Sequence, residues 1–366
     1  MWIRTSPLDQ FIYFDTDGKR VGIRLLRLSL DMVFKNEAAF YLNTARARLS
    51  EHISEALKEL EPDYVISETC TPWYIAKDIA RAFDAKLVLR VHSIGVEEFP
   101  CMRGLQFDDA LWLCASSLHT FALAHLSDWT LVFTEMSRMR LGRALIRRTS
   151  VLEPTYVSLL RDKRTEVRNI KEIIEKKSPF FFGYEPKRIY LRLARALPEF
   201  NFIIAVKENE LKRVSGHDKL PENIVPIGCV FEPELPMLFE KALAFLIPDI
   251  CFSGICVRLL EGLYHGVPII TTNFVIRGVR GLKAGFHVLA EDDFLRWPSI
   301  LRRLASDEEQ REELREQARA FFKKRLRPAL HGRRLKNILE RIPKRFWTWK
   351  ALKTLRMPQG PSSLLS

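Results

Sequence analysis

The sequence predicts an α/β protein built from two doubly wound parallel-sheet domains, and three observations point there. Short apolar runs alternate with amphipathic segments of helical period, the pattern of parallel strands covered by helices on both faces. With 366 residues, 47% of them hydrophobic, the chain is long and apolar enough for two cores. In residues 248–281 a strand end, a polar loop, a helix start and a second strand follow one another closely, which is how open α/β sheets build ligand sites.

Residues 10–26 read as a hairpin, with FIYF and VGIRLL joined around Asp15-Thr16-Asp17-Gly18. The Asp-x-Asp spacing invites a divalent cation, but Asp-Gly between two strands is ordinary turn chemistry, and the turn is the reading taken. Residues 36–60 predict a long helix capped by Asn36 and stopped by Pro62. Strand 64–67, helix 72–83 and strand 86–91 follow, ending at His92. Carboxyl ends of strands line the ligand crevice in such sheets, so His92 is either a ligand-facing group or a histidine bonded to a nearby loop. Helix 105–125, strand 129–134, helix 135–146 and strand 150–152 complete a first domain of residues 1–160.

A charged, helix-prone linker occupies residues 161–177, and a second domain spans 178–325. PFFFG (179–183) reads as a strand ending at Gly183, and Glu185-Pro186 opens a helix that runs to Leu197. Lys187 and Arg188 fall in its first turn, where cations oppose the helix dipole, so a bound anion gives them a physical reason that solvent does not. Strands 201–206 and 223–228 and helix 234–243 lead to strand 242–247, loop 248–254 and a helix 255–265 closed by Gly266. On that helix Val257, Leu260 and Tyr264 share a predicted core side, while Gly254, Arg258, Glu261 and His265 share a polar one. Free N–H groups at Gly254 and Ile255 suit a phosphate. Arg258 and Glu261 are either a surface i, i+3 pair or ligand groups. Strand 267–272 leads to a loop reaching Gly285 with Arg277, Arg280 and Lys283 among glycines, and Ser306 with Glu309 form a capping box opening a helix to about Lys324.

The formal charge of +13 is uneven: residues 323–366 carry net +12 and residues 1–322 net +1. The tail 326–366 is basic and aromatic, with Phe346, Trp347 and Trp349 among its cations, and it lacks a nucleic-acid recognition motif. No apolar window long enough to cross a membrane and no signal-peptide layout is visible, so a cytoplasmic protein is expected. The six cysteines show no metal-ligand spacing and read as buried free thiols; no metal and no cofactor is expected.

The segment from Ser253 to Thr272, SGICVRLLEGLYHGVPIITT, resembles the donor-site segment of group 1 (family 4-like) glycosyltransferases. The resemblance implies the GT-B fold, two Rossmann-like domains facing a cleft, and transfer of a sugar from a nucleotide-diphosphate sugar with retention at the anomeric carbon. It implies that Glu261 binds the ribose hydroxyls; Ser253 stands where the family carries the first of two glutamates eight positions apart. The strand ending in His92 is similar to the family's strand whose histidine lies near the donor sugar. An Arg and a Lys after the strand-glycine hold the diphosphate in that family; here Tyr184 stands beside Gly183, and Lys187 or Arg188 takes the role. The family's opening strand and Gly-rich loop are not visible before Gln10, so the first domain is abbreviated, begins upstream or is completed by a partner. A catalytically silent subunit and a sugar-nucleotide epimerase remain alternatives to a transferase. Aromatic rings among the cations of 323–356 suit an anionic membrane surface and an acceptor carried on a lipid, with a helix packed back on the first domain as the competing reading.

Overall fold

Three consecutive phenylalanines in the middle of the chain show why the second sheet forms where it does. A parallel strand covered on both faces needs apolar side chains in both directions. Phe180, Phe181 and Phe182 are all fully buried, with Phe180 and Phe182 in one core cluster and Phe181 in the opposite one. Each contributes about 1.5–3 kcal/mol by burial.

The computed structural model describes residues 12–16, 19–23, 62–68, 73–92, 94, 107–156, 170–216, 219–230, 234–250 and 254–343. The helix expected over 36–60, Asp17 and Gly18, Ser253, and the tail beyond 343 lie outside the described residues. Strands β1 (Ile12–Thr16) and β2 (Lys19–Ile23) pair antiparallel as the expected hairpin.

The first domain holds β3 (Tyr64–Glu68), β4 (Lys86–Val91), β5 (Trp129–Val132) and β6 (Thr149–Val151) in a parallel sheet of order β3-β4-β5-β6. Its helices are α1 (Trp73–Ala82), α2 (Phe107–Leu126), α3 (Glu135–Arg140) and α4 (Arg143–Ile146). The single helix expected over 135–146 is therefore two. Gly142 takes φ 82° between them, a conformation no helix continues through.

Helix α5 (Ile170–Lys177) leads into the second domain, which holds β7 (Phe180–Tyr184), β8 (Asn201–Ala205), β9 (Ile224–Pro226), β10 (Phe245–Ile247), β11 (Ile269–Thr271) and β12 (Leu289–Ala290). All are parallel, in the order β12-β11-β10-β7-β8-β9, so β7 is central. Its helices are α6 (Arg188–Ala196), α7 (Glu208–Ser215), α8 (Leu235–Lys241), α9 (Val257–His265), α10 (Asn273–Ile276), α11 (Trp297–Ser306) and α12 (Glu308–Arg325). Side chains of α5, α8, α9 and α12 cover one face, and those of α6, α7 and α11 cover the other.

The cap of α12 is Asp307, whose Oδ1 accepts the Gln310 N–H at 2.8 Å; Ser306 instead donates back to carbonyls at the end of α11. The expected capping box is thus one residue out of place, because two helices meet there. The last described helix, α13 (Pro328–Glu340), returns to the first domain. Leu335, Ile338 and Leu339 pack against Val88, Leu131 and Leu152, and Lys86 Nζ donates to the Ile342 carbonyl at 2.7 Å. Cys256 is buried, but Cys114 and Cys229 are exposed, against the expectation of buried thiols; all three are free. No described helix is long and apolar enough to cross a membrane.

Candidate functional site

Helix α9 is positioned by its contact with the sheet. Leu259, Leu260 and Leu263 are buried on it, and Gly262 lets it approach β10 and β11: an added Cβ would stand 2.9 Å from Ile269 Cδ1 and 3.0 Å from Phe245 Cδ1. This core face differs from the expected one. Val257 and Tyr264 are exposed, because the helix is rotated so that the Leu259-Leu260-Leu263 edge meets the strands.

The rotation turns Arg258 toward the carboxyl ends of β7 and β10. Its guanidinium lies 2.8 Å from Asp249 Oδ2 and 3.0 Å from Glu185 Oε1. Lys187 Nζ meets the other oxygens of the same two acids, Asp249 Oδ1 in a short ion pair and Glu185 Oε2 at 3.2 Å. Burial pushes the Glu185 carboxyl up, but Arg258 and Lys187 outweigh it and hold it below the usual carboxylate range. Beside this ring of charges an open cavity of about 280 Å³ is lined by Lys187, Arg188, Pro248, Asp249 and Phe294. Lys187 is the N-cap residue of α6, and Arg188 sends its Nε to the Val214 carbonyl at 2.8 Å, so the two neighbours diverge. Gly183 leaves space for Tyr190, whose hydroxyl would stand 2.7 Å from an added Cβ and which donates to the Tyr184 carbonyl.

Glu261, one turn further along α9 from Arg258, faces two phenols. Tyr156 Oη donates to Glu261 Oε1 at 3.1 Å, and the Tyr184 phenol at the end of β7 lies within electrostatic reach of the same carboxylate. Burial first, and then the Glu261 charge, push the Tyr184 phenol far above its ordinary value. Tyr184 thus stays a neutral donor.

His92 follows β4 with its side chain 46% exposed and its Nε2 in a short contact with Glu68 Oε2 at the end of β3. Its ring stacks on Phe133 at 5.1 Å, and Arg90 lies 3.3 Å from Glu68 Oε1. The His92 carbonyl abuts Gly254: an added Cβ there would come within 2.2 Å of it, and φ is 81°. The loop before α9 therefore requires glycine where the two domains touch. Ile255 is buried.

These contacts bring Gly254 to His92, and Arg258 to Lys187. The sequence does not single out Glu68, Tyr156, Glu185 and Asp249 as site residues, although Glu68 ends β3 and Asp249 follows β10, at carboxyl ends where ligand groups gather. Among the described residues, no group of three or more His, Cys, Asp or Glu is placed to hold a metal ion.

No protein-family model matches the sequence, and no curated protein matches it. Solved structures do match its fold. Sucrose-phosphate synthase from Thermosynechococcus elongatus superposes with a TM-score of 0.65 at 12% identity, over 92% of this chain and 87% of that one. An α,α-trehalose-phosphate synthase from Burkholderia xenovorans gives 0.59 at 11%, over 92% and 91%. HepE of Anabaena, in complex with UDP-glucose, gives 0.58 at 13%, over 80% and 81%. The chain has the GT-B fold. Its two parallel sheets are the two Rossmann-like domains of GT-B, and the contact between His92 and Gly254 joins them.

Proposed function

We propose that the protein is a glycosyltransferase that moves a sugar from a nucleotide-diphosphate sugar to an acceptor hydroxyl, with retention at the anomeric carbon. The observation that carries this reading is the carboxylate of Glu261, held by Tyr156 beside the neutral Tyr184 phenol, on the helix that also carries Arg258. A carboxylate offers about four acceptor positions. With the Tyr156 phenol bound, Glu261 keeps capacity for a pair of ribose hydroxyls. Lys187 and Arg258 then face the diphosphate. As the bond from the anomeric carbon to the phosphate oxygen breaks, its electron pair leaves with the diphosphate, and preorganised cations stabilise that charge. His92, oriented by Glu68, acts at the donor sugar. The solved structures of like fold support the donor class, since one of them holds UDP-glucose.

A second reading, a silent GT-B subunit, is favoured by the pairing of Lys187 and Arg258 with two acids and by Ser253. One experiment separates them. Melting temperatures are measured with a panel of nucleotide sugars, where ligand at a hundred times its dissociation constant adds about 2.7 kcal/mol. Glu261→Gln is expected to lose about tenfold in affinity for the responding nucleotide, equivalent to about 1.4 kcal/mol, with little change in unliganded stability because Tyr156 keeps an acceptor. Normal binding by this variant sinks the assignment of Glu261. Binding without sugar transfer selects the silent reading.

A further inference from the structure

The four charges at the ends of β7 and β10 form a closed ring in which each cation meets both acids. The two acids are not equivalent. Asp249 has a side chain only 4% exposed, and its backbone carbonyl accepts the Thr272 hydroxyl. Removing its cations would strand a buried charge, so it is the fixed member. Glu185 has a side chain 50% exposed. Its release returns a carboxylate to water at small cost. Its backbone has φ 64°, uncommon for a residue with a side chain. Its carboxylate meets Lys187, which also lines the open cavity, and Arg258.

We propose that Glu185 is a built-in competitor for the anion site: its carboxylate holds the position between Lys187 and Arg258 that a ligand's phosphate oxygens take, and it swings out when a diphosphate enters. Asp249 remains behind as the counter-charge that keeps the two cations together. The inference rests on the donor reading above only in naming a diphosphate as the ligand. With both acids in place the ring is neutral, and with Glu185 displaced it carries +1. A ligand must then bridge both cations to replace what Glu185 gave them. A diphosphate does so with two adjacent anionic groups, whereas a monocarboxylate only repeats the contact it displaces. Glu185 thereby sets specificity for the diphosphate class.

The test titrates inorganic pyrophosphate into the full chain by calorimetry, comparing the unaltered protein with Glu185→Gln and Glu185→Gly. Glycine suits the left-handed backbone, so at least one variant keeps the loop. Both are expected to bind pyrophosphate about five- to tenfold tighter, the order given by removing two partly exposed ion pairs. Asp249→Asn is expected to bind it more weakly. Unchanged or weaker binding in both Glu185 variants, or no pyrophosphate binding by any of the proteins, overturns the proposal. A nucleotide sugar titrated in parallel keeps the two claims apart. Tighter pyrophosphate binding with no nucleotide-sugar binding leaves Glu185 a competitor and removes the donor reading; nucleotide-sugar binding with pyrophosphate insensitive to Glu185 does the reverse.

Discussion

Arg258 shows how much one side chain on a helix face can carry. It is 20% exposed and reaches Asp249, which is almost wholly buried. Breaking a buried pair from one side typically costs 3–5 kcal/mol, because the remaining charge is stranded. Lys187 stays with Asp249, and Arg258 is not fully buried, so Arg258→Gln is expected to cost about 2–3 kcal/mol. Urea denaturation at neutral pH measures it. A loss below about 0.5 kcal/mol would reduce the contact to a surface pair. The same residue marks what was legible in the sequence. Lys187 and His92 stand out because they follow a strand, and Glu261 because its segment resembles a donor site. Their partners do not stand out. Asp249 meets Lys187 from 62 positions away, and Tyr156 meets Glu261 from 105, and no local period encodes pairs that only the folded sheets bring together.

At the scale of elements, α9 is the informative case. Its closing residue was legible: Gly266 takes φ 71° and donates its N–H to the Gly262 carbonyl at 2.9 Å. Its faces were not, because Leu260 aligns either with Val257 and Tyr264 or with Leu259 and Leu263, so the nine-residue helix satisfies two periodic readings. Packing against Phe245 and Ile269 decides between them, through the small residue Gly262. The expected polar face also ends early. His265 lies among the rings of Phe239, Tyr264 and Tyr156, with its Nε2 buried and without a hydrogen-bond partner among the described residues. Burial, with a smaller contribution from Arg319, lowers its pKa to about 4. An unfolded histidine titrates near 6.5, so between these values the unfolded chain binds the extra proton. The contribution of His265 is therefore complete above about pH 6.5 and is lost as pH falls toward about 4. His265→Phe keeps a ring and removes the titration. Its unfolding free energy is expected to fall less steeply across that window than that of the unaltered protein, in urea melts at a series of pH values. Equal slopes would assign the acid sensitivity to other groups.

Across the whole molecule, α13 ties the end of the second domain to the first. The competing reading, a helix packed back on the first domain, describes α13, with His331 Nδ1 2.9 Å from the Glu153 carbonyl and Arg334 3.6 Å from the Glu153 carboxylate. Part of the basic excess of residues 323–366 is thereby committed to packing. The chain beyond Pro343 still holds five Lys or Arg, no acid, and Phe346, Trp347 and Trp349. We propose that this segment meets an anionic membrane surface, where each cation contributes about 1 kcal/mol and aromatic rings settle at headgroup depth. A lipid-carried acceptor would then be presented to the cleft. A chain stopped at Pro343 retains every described residue of both sheets and of α13. The full chain is expected to float with vesicles containing anionic lipid and not with neutral ones, and the shortened chain to remain in the dense fraction while keeping its melting shift with nucleotide sugar. If the shortened chain still floats, the membrane contact lies in the folded body. If the full chain does not distinguish anionic from neutral vesicles, the tail is a packing or partner element, and the inference of a lipid-carried acceptor falls with it.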